Sequence, residues 1–591
     1  MFSLCSVVFR ADIAVAAFPL ALVFTGAAGW FACKSLLADG KAAVLPAVRK
    51  LFQYLPFALL AAFVLRRAGE KGTPFWLDAV SVALWLVAFV TSLLALYYLN
   101  DKRVFARNPA LAASRPVDYG KRPAGAARVV YEAVGWIDAL VQAVFMVTLI
   151  HLFIVQLYEI PSESMVPEFL IRDRVVVFKT PSGSRFPLSD VGLPRFRGYN
   201  RGDIVVFRNP HYSQERKSEV KTFVSQLVFM ITFTAVNLNT DDEGNLKADP
   251  LVKRVTGLPG EQLMMQDGVL YARRSGERAF APVADDVRWA EWNVAGLPSN
   301  LKNAVRSVPL SQAQYDSMAA CEAERNALSF ARSRTEAQSL ARRFTELRGQ
   351  IAAASQGAPA DPAAYRTLIP QADMFEYSLF RNNDALTWKL LSAEGGDVWF
   401  NDFMTSWLAA VPEDFFSGAH PAPDASREDA LMGGSLYADA GFRLNLMVKL
   451  ALGGLVVRNA EFYAERRSAS TWSADPALQE LYVKAEMLNN YVFLLDRRNM
   501  PVFPANGPDG SPQYIPENQF FMMGDNRFNS LDMRHSYEDT FAPLSSLDPL
   551  PVMYYTNMAP QSVAAKSILG TPVLRVWPVK RFGVPGLTGK E

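Results

Sequence analysis

The sequence predicts a membrane-embedded set of N-terminal helices followed by a mainly-β domain that carries a large α+β insertion. Apolar residues concentrate in the first 160 of the 591 residues. After Val175, short β-branched runs alternate with turns rich in Gly and Pro, which is typical of strands. From about residue 274 to 516 this pattern gives way to helical periodicity. The predicted units are therefore a membrane anchor (1–158), a first β part (159–273), an inserted region (274–516) and a last β part (517–591).

The bulk composition excludes several classes of partner and site. Half of the residues are hydrophobic, and the formal net charge is only +2, so we expect no nucleic-acid partner. The cysteines (Cys5, Cys33 and Cys321) and the four histidines are scattered, and no pair has the spacing of metal ligands. We therefore expect no metal, no cofactor and no disulfide framework.

Three apolar runs reach the roughly 20 residues that a membrane-spanning helix needs, namely 13–33, 79–100 and 136–157. A fourth run, 51–65, is short, but the basic residues at both of its ends could snorkel and stretch it across. The first run lacks a small-residue cleavage site, so we do not interpret it as a removed signal peptide.

The loop at 101–130 carries the strongest positive charge in the chain. Its first 28 residues hold seven Lys or Arg against two Asp. Basic loops stay on the cytoplasmic side, so the helix that ends near Leu157 emerges on the opposite side with all that follows. The side on which the N-terminus lies depends on whether 51–65 crosses.

Two serines, Ser162 and Ser164, lie between Pro161 and Pro167, directly after the last apolar run. Each proline fixes its own φ and favours extended geometry in the residue before it, so the serines occupy a stiff, non-helical segment. Taken alone, this pattern is more typical of a turn than of a nucleophile. A β-branched run at 175–178 then predicts a buried strand.

Lys253 lies on a predicted strand with apolar neighbours, after a strand at 204–207. Burial would lower the pKa of its amine, which could then act as a general base for a serine. The alternative is an ordinary strand lysine that points to water. A hairpin is predicted at Asp267-Gly268, and the apolar stretch 223–236 is predicted to be interfacial or re-entrant.

The inserted region shows apolar residues at 3-4-3-4 spacing from Ala337 to Ile351, which predicts a long amphipathic helix over 311–355. No chemistry is evident in this region, and we interpret it as a scaffold. A polar Gly524-Asp-Asn-Arg loop and a closing strand within 567–579 follow.

Four ordered blocks resemble those of bacterial type I signal peptidases, which are membrane-anchored Ser/Lys endopeptidases. They are Pro-Ser-Glu-Ser-Met-Val-Pro (161–167) with Asp173, Arg-Gly-Asp-Ile-Val-Val-Phe (201–207), Lys-Arg-Val-Thr-Gly-Leu-Pro-Gly-Glu (253–261) and Gly-Asp-Asn-Arg-Phe-Asn-Ser (524–530). The resemblance implies a mainly-β catalytic domain on the extracytoplasmic, periplasmic side of the bacterial inner membrane. It also implies exported precursors with signal peptides as substrates, and the bilayer and the translocation machinery as partners.

The resemblance assigns roles residue by residue. It makes Ser164 the nucleophile, Lys253 the general base, Ser162 a donor to the oxyanion with the Ser164 N–H, and Ser530 the residue that orients Lys253. The residues that match the shallow apolar substrate pocket are Tyr158, Ile160, Phe169 and Val252. The residues that match structural charge pairs are Arg254, Asp525, Arg527, Asp532 and Arg534.

The chain departs from the family pattern at Glu163, where a small residue is common, and at Phe528 and Met533, where polar residues are usual. Three alternatives stand beside a peptidase: an inactive scaffold that binds exported chains, a transporter with Asp138 and His151 in its spans, and a soluble self-cleaving repressor. The intact Ser164, Lys253 and Ser530 and the apolar runs favour the peptidase.

Overall fold

The structure is a computed structural model that describes residues 13–68, 74–116, 119–120, 123–212, 216–231, 238, 247–352, 380–416 and 436–586. Cys5 lies outside the described residues. The α-helices are α1 Ile13–Leu37, α2 Leu45–Ala68, α3 Phe75–Tyr98, α4 Asp101–Arg107, α5 Pro109–Ala113, α6 Ala126–Phe153, α7 Arg216–Ile231, α8 Ser299–Lys302, α9 Gln312–Asn326, α10 Phe330–Ala352, α11 Asn383–Ser392, α12 Gly396–Thr405, α13 Glu413–Phe416, α14 Leu436–Ala464 and α15 Pro476–Arg498.

The described strands form three antiparallel sheets. The strands are β1 Val155–Glu159, β2 Arg174–Phe178, β3 Ile204–Phe207, β4 Leu251–Gly257, β5 Glu261–Gln266, β6 Val269–Arg274, β7 Ala281–Pro282, β8 Met500–Phe503, β9 Gln519–Met523, β10 His535–Pro543, β11 Met553–Met558, β12 Val563–Ala564 and β13 Ile568–Trp577. The largest sheet has the order β1-β2-β13-β3-β4-β9-β12, the second β7-β6-β5-β8, and the third is the pair β10-β11.

Five described helices are long and apolar enough to cross a membrane. Four of them, α1, α2, α3 and α6, correspond to the predicted runs and leave most of their surface uncovered by protein. The fifth, α14, is 89% buried inside the protein over its most apolar window, so it lies at the centre of a protein core. The chain is therefore a membrane protein with an apolar N-terminal helical part.

All four predicted spans have different limits in the structure, and two of the differences change the interpretation. The short run 51–65 is part of the 24-residue helix α2, which continues through Arg66 and Arg67. These arginines do not snorkel. Both are buried and pair with Asp78 of α3, at 2.6 and 3.2 Å. The predicted run 136–157 also ends early, because Val155–Leu157 already pair with β2 as part of β1.

The central sheet joins distant parts of the chain around β4. This strand pairs with β3 on one side and with β9 on the other, so that Lys253 lies opposite Val205 and Arg254 opposite Met523. Strand β13 returns from the C-terminal end to pair with both β2 and β3. The closing strand and the strands around residues 175, 204 and 253 were all predicted, and the structure confirms them.

The hairpin of β5 and β6 also confirms its prediction. Asp267 and Gly268 connect the strands with φ of 52° and 82°. Positive φ at both central residues is what a tight two-residue hairpin turn requires, and Asp-Gly adopts it readily.

The region from α8 to α15 is mainly helical and surrounds α14. The predicted single helix over 311–355 is wrong: it is two helices, α9 and α10, separated at residues 327–329. The Ser329 side chain accepts a hydrogen bond from the Arg332 N–H and so starts a new helix where the apolar periodicity alone suggested continuity. The residues after Ala352 that were included in this prediction lie outside the described residues.

The helical region packs against the β domain rather than standing apart from it. Its apolar core includes Phe528 and three residues on or beside the β10-β11 pair, Val552, Met553 and Tyr554. Strand β8, which follows α15, pairs with β5. Helix α7 covers the first part of the apolar stretch 223–236 and touches α2 and α6, while 232–236 lie outside the described residues.

Candidate active site

Ser164 lies on a turn between β1 and β2. The antiparallel pairing of β1 with β2 continues one residue past β1, because the Ile160 N–H donates to the Asp173 carbonyl at 2.9 Å. Between these residues the chain forms tight turns, in which the Val166 N–H donates to the Glu163 carbonyl at 3.1 Å. The serine is therefore held by a rigid sheet at both ends of its turn.

Lys253 reaches this turn from the middle of β4. Its side chain is buried, with only 3% of the residue exposed. The Nζ donates to the Ser164 Oγ at 2.6 Å. A hydroxyl in contact with a buried amine is the arrangement that allows the amine to take the hydroxyl proton when the oxygen attacks.

Burial also changes the protonation of this lysine. Desolvation lowers the pKa of Lys253 to about 8, although Asp532 and Asp525 act in the opposite direction. The cause is that a charged amine loses more than a neutral amine when it leaves water. A substantial fraction of the amine is therefore neutral in mildly alkaline solution.

The two other serines differ in their relation to this pair. The exposed Ser162 has its Oγ 3.3 Å from the Ser164 Oγ, on the solvent side of the turn. Ser530 does not make the predicted hydrogen bond with Lys253: its buried hydroxyl has no hydrogen-bond partner among the residues that the structure describes. Its side chain instead packs against Gly524, where a Cβ would overlap both the Ser530 hydroxyl and the Ser164 carbonyl.

The loop at 524–530 is attached directly to the nucleophile turn. The Asn526 N–H donates to the Ser164 carbonyl at 3.1 Å, and its side-chain amide donates to the Glu163 carbonyl at 3.1 Å. Asn526 is not among the predicted site residues, although it stands inside the Gly-Asp-Asn motif that points to this loop.

Most of the predicted charge pairs surround the site. Arg254 makes two hydrogen bonds to Asp525, at 2.8 and 2.6 Å, and both residues are buried. Arg534 likewise makes two to Asp532, at 2.8 and 3.0 Å. Burial would raise the pKa of Asp532, but Arg534 outweighs it, so the pKa lies well below the usual range.

Arg527 pairs outside the motif. Its Nη1 donates to the Asp286 Oδ2 at 2.9 Å, and its Nε donates to the Gly524 carbonyl at 3.0 Å. Asp286 lies within the predicted insertion, about 240 residues earlier in sequence, and no local pattern marked it. Such a pair can be found only from the fold.

The four predicted pocket residues lie together in one apolar cluster. Ile160 and Phe169 are buried in it, and Tyr158 and Val252 are partly buried against it. Met165, the residue after Ser164, belongs to the same cluster. A cavity of about 260 Å³ opens beside Tyr158 and extends toward the ends of α2 and α6, but neither Ser164 nor Lys253 lines it.

His535 is the histidine nearest in sequence to the loop. It is buried, and desolvation lowers its pKa to about 3, so it is neutral and bonded through Nδ1 to Asn557. Among the described residues, no group of three or more His, Cys, Asp or Glu side chains is placed to hold a metal ion.

The family comparison covers the part of the chain that contains Ser164 and Lys253. A model of the signal peptidase family, peptidase S26, matches residues 133–295. This part of the chain is therefore similar to the signal peptidase S26 family over the stretch that holds Ser164 and Lys253. The match begins within α6 and ends before the loop at 524–530, so the last S26-like block rests on the local motif and its position in the fold.

Curated signal peptidases are similar over shorter stretches. Signal peptidase I of Buchnera aphidicola subsp. Schizaphis graminum is 36% identical over 74 residues, which is 12% of this chain and 24% of the relative. Signal peptidase I of Pseudomonas aeruginosa is 29% identical over 123 residues, 21% of this chain and 42% of the relative. The chain thus spans less than half of the length of these relatives.

Proposed function

We propose that this protein is a membrane-bound serine endopeptidase that removes signal peptides from exported precursors, with Ser164 as nucleophile and Lys253 as general base. The observation that carries the proposal is the 2.6 Å contact between the Lys253 Nζ and the Ser164 Oγ, formed with a buried amine whose pKa is lowered to about 8. The S26 match supports the same assignment.

The reaction follows from this contact. The neutral Lys253 amine takes the Ser164 proton while the Oγ attacks the carbonyl carbon of the scissile peptide. The Ser162 hydroxyl and the Ser164 N–H donate to the resulting oxyanion. The tetrahedral intermediate collapses as the lysine ammonium returns its proton to the leaving amine. Water, deprotonated by the same amine, then hydrolyses the acyl-enzyme and releases the carboxylate and Ser164.

The neighbouring surface suits an extended chain with small side chains. Strand β1 is an edge of the largest sheet, and it places Tyr158 beside the apolar cluster with Ile160 just after it. A peptide that pairs with such an edge presents alternate side chains to the pockets beneath it. Buried Phe169 fills part of the cluster, which favours an Ala-X-Ala sequence at the cleavage site.

The membrane helices set the position of the site. Only Ile154 separates α6 from β1, so Ser164 lies about ten residues beyond the end of an apolar helix. With the basic loop on the cytoplasmic side, the catalytic domain lies on the periplasmic side of the inner membrane. The end of a precursor's signal helix, delivered by the translocation machinery, would reach the site at this depth.

Cleavage of a model precursor tests the proposal. Detergent-purified wild type is incubated with a precursor that carries an Ala-X-Ala site, beside the Ser164→Ala and Lys253→Ala variants. We expect the wild type to cut after the second alanine and both folded variants to leave the precursor intact. An inert wild type would favour the non-enzymatic scaffold, and activity in either variant would overturn the Ser/Lys assignment.

A further inference from the structure

A segment of the predicted insertion, residues 284–307, lies against the active site; we call it the strap. Its backbone joins the loop at 524–530 as an isolated bridge. The Glu291 N–H donates to the Asp525 carbonyl at 2.7 Å, and the Arg527 N–H donates to the Glu291 carbonyl at 3.0 Å. The Asp286–Arg527 pair lies at the start of the strap.

The end of the strap holds Glu163, the residue between the two serines. The buried Glu163 carboxylate accepts hydrogen bonds from the backbone N–H groups of Arg306 and Ser307, the latter at 3.1 Å. Hydrogen bonds to an ionised acceptor are among the stronger ones in proteins. The family pattern usually has a small residue here, which could not make this contact.

Apolar packing reinforces the same connection. Val166 and Leu170, on the nucleophile turn, are buried together with Val294 of the strap. The strap residues that pack partly buried around them are Leu297, Leu301 and Val305. The turn therefore has the strap beneath it and the Asn526 loop beside it.

We propose that Glu163 is a positioning residue, which aims the Ser164 Oγ at Lys253 by anchoring the nucleophile turn to the strap. Residue 163 is held at two points: its carbonyl by Asn526 and its carboxylate by the strap amides. Fixing the residue next to the nucleophile at both points leaves the Ser164 side chain little freedom relative to the sheet. This inference rests on the proposed function, since it assigns a role in the same reaction.

The expected effect follows from the short contact that the turn maintains. A misplacement of about 1 Å in a reacting group can cost on the order of 10²-fold in rate. We therefore expect Glu163→Ala to lower kcat about 10- to 100-fold while KM changes less than about twofold. The apparent pKa of the pH–rate profile should not move, because Lys253 remains buried on β4.

The conservative variant separates hydrogen bonding from charge. In the structure a single carboxylate oxygen, Oε1, already accepts from both strap amides. Glu163→Gln retains one such acceptor, so we expect it to recover most of the kcat that Glu163→Ala loses. The matched control is Glu277→Ala, which removes an exposed carboxylate that accepts a backbone N–H from Arg274 at 2.9 Å.

A change on the strap side completes the test. Ser307→Pro removes one of the two donors without altering the nucleophile turn. If the two residues act through one contact, the Glu163→Ala/Ser307→Pro double variant should be no slower than the slower single variant. Ser307→Pro also tests the positioning role if Glu163→Ala fails to fold. In that case we expect Ser307→Pro alone to lower kcat and leave KM unchanged, and an unchanged kcat would overturn the role.

The outcomes are distinguishable from failure of the proposed function, which an inert wild type would show. With an active wild type, unchanged kcat in Glu163→Ala would overturn the positioning role. Equal losses in Glu163→Gln and Glu163→Ala, or additive losses in the double variant, would also overturn it.

Discussion

Raising the pH from 7 to 9 is expected to increase kcat/KM about tenfold and then leave it constant. Burial lowers the pKa of Lys253 to about 8, and only the neutral amine can take the Ser164 proton. About one amine in ten is neutral at pH 7 and about nine in ten at pH 9. A lysine with an ordinary pKa near 10.4 would instead give a roughly hundredfold rise over the same interval, with no plateau.

The assay is kcat/KM for an Ala-X-Ala peptide from pH 6 to pH 10, in detergent and at constant ionic strength. A parallel thermal unfolding series shows over which range the protein stays folded. A slope of one that persists to pH 10 would show that the amine is not desolvated as the structure indicates. A flat profile would show that no group with this pKa controls the reaction.

Three further predictions concern single side chains. Ser162→Ala should lower kcat about 10²- to 10³-fold with unchanged melting temperature, because it removes one oxyanion donor from an exposed position. A clear decrease in melting temperature would indicate a structural role instead. Lys253→Met should stabilise the protein by about 3 kcal/mol at pH 7. The gain is expected because the pKa of Lys253 is lower in the folded than in the unfolded protein. The cost of burying the amine is therefore fully present below about pH 8 and disappears as the pH rises toward 10.5. A gain in stability that does not change with pH would refute this explanation. Arg254→Met should destabilise by about 3–5 kcal/mol because it leaves the Asp525 carboxylate buried and unpaired. Adding Asp525→Leu should recover much of the melting temperature, and a further decrease would contradict this account.

The local motifs were predictable because their signals lie in a few adjacent residues. Asp267-Gly268 specifies a hairpin by backbone conformation alone, and the β-branched runs around Val205 and Lys253 specify strands. The contact between Lys253 and Ser164 spans 89 residues, and it followed from the ordered blocks rather than from periodicity.

Other features depended on contacts that no local pattern encodes. Arg66 and Arg67 look like basic flanks of a short apolar run, yet inside the protein both form ion pairs with Asp78 on the next helix. The break between α9 and α10 lies at Ser329, whose side chain caps α10, and it precedes the apolar periodicity of residues 337–351 from which one long helix was predicted.

The insertion is predicted to be a scaffold without chemistry, and no local sequence pattern indicates its contact with the site. Phe528, a departure from the family pattern, packs its ring 5.4 Å from that of Trp292 on the strap. Glu163, another departure, bonds to strap amides 143 and 144 residues away. Residues that looked anomalous in the motifs are thus explained by a neighbouring segment that the motifs do not contain.

The most direct test of the central claim is to identify the residue that becomes acylated. Wild type, Ser164→Ala and Lys253→Ala are each incubated with a slowly hydrolysed peptide ester that ends in Ala-X-Ala, and the modified residue is located by tandem mass spectrometry. We predict one acyl group on Ser164 in the wild type and none in either variant. Acylation of Ser162 or another residue, or undiminished labelling in Lys253→Ala, would contradict the mechanism.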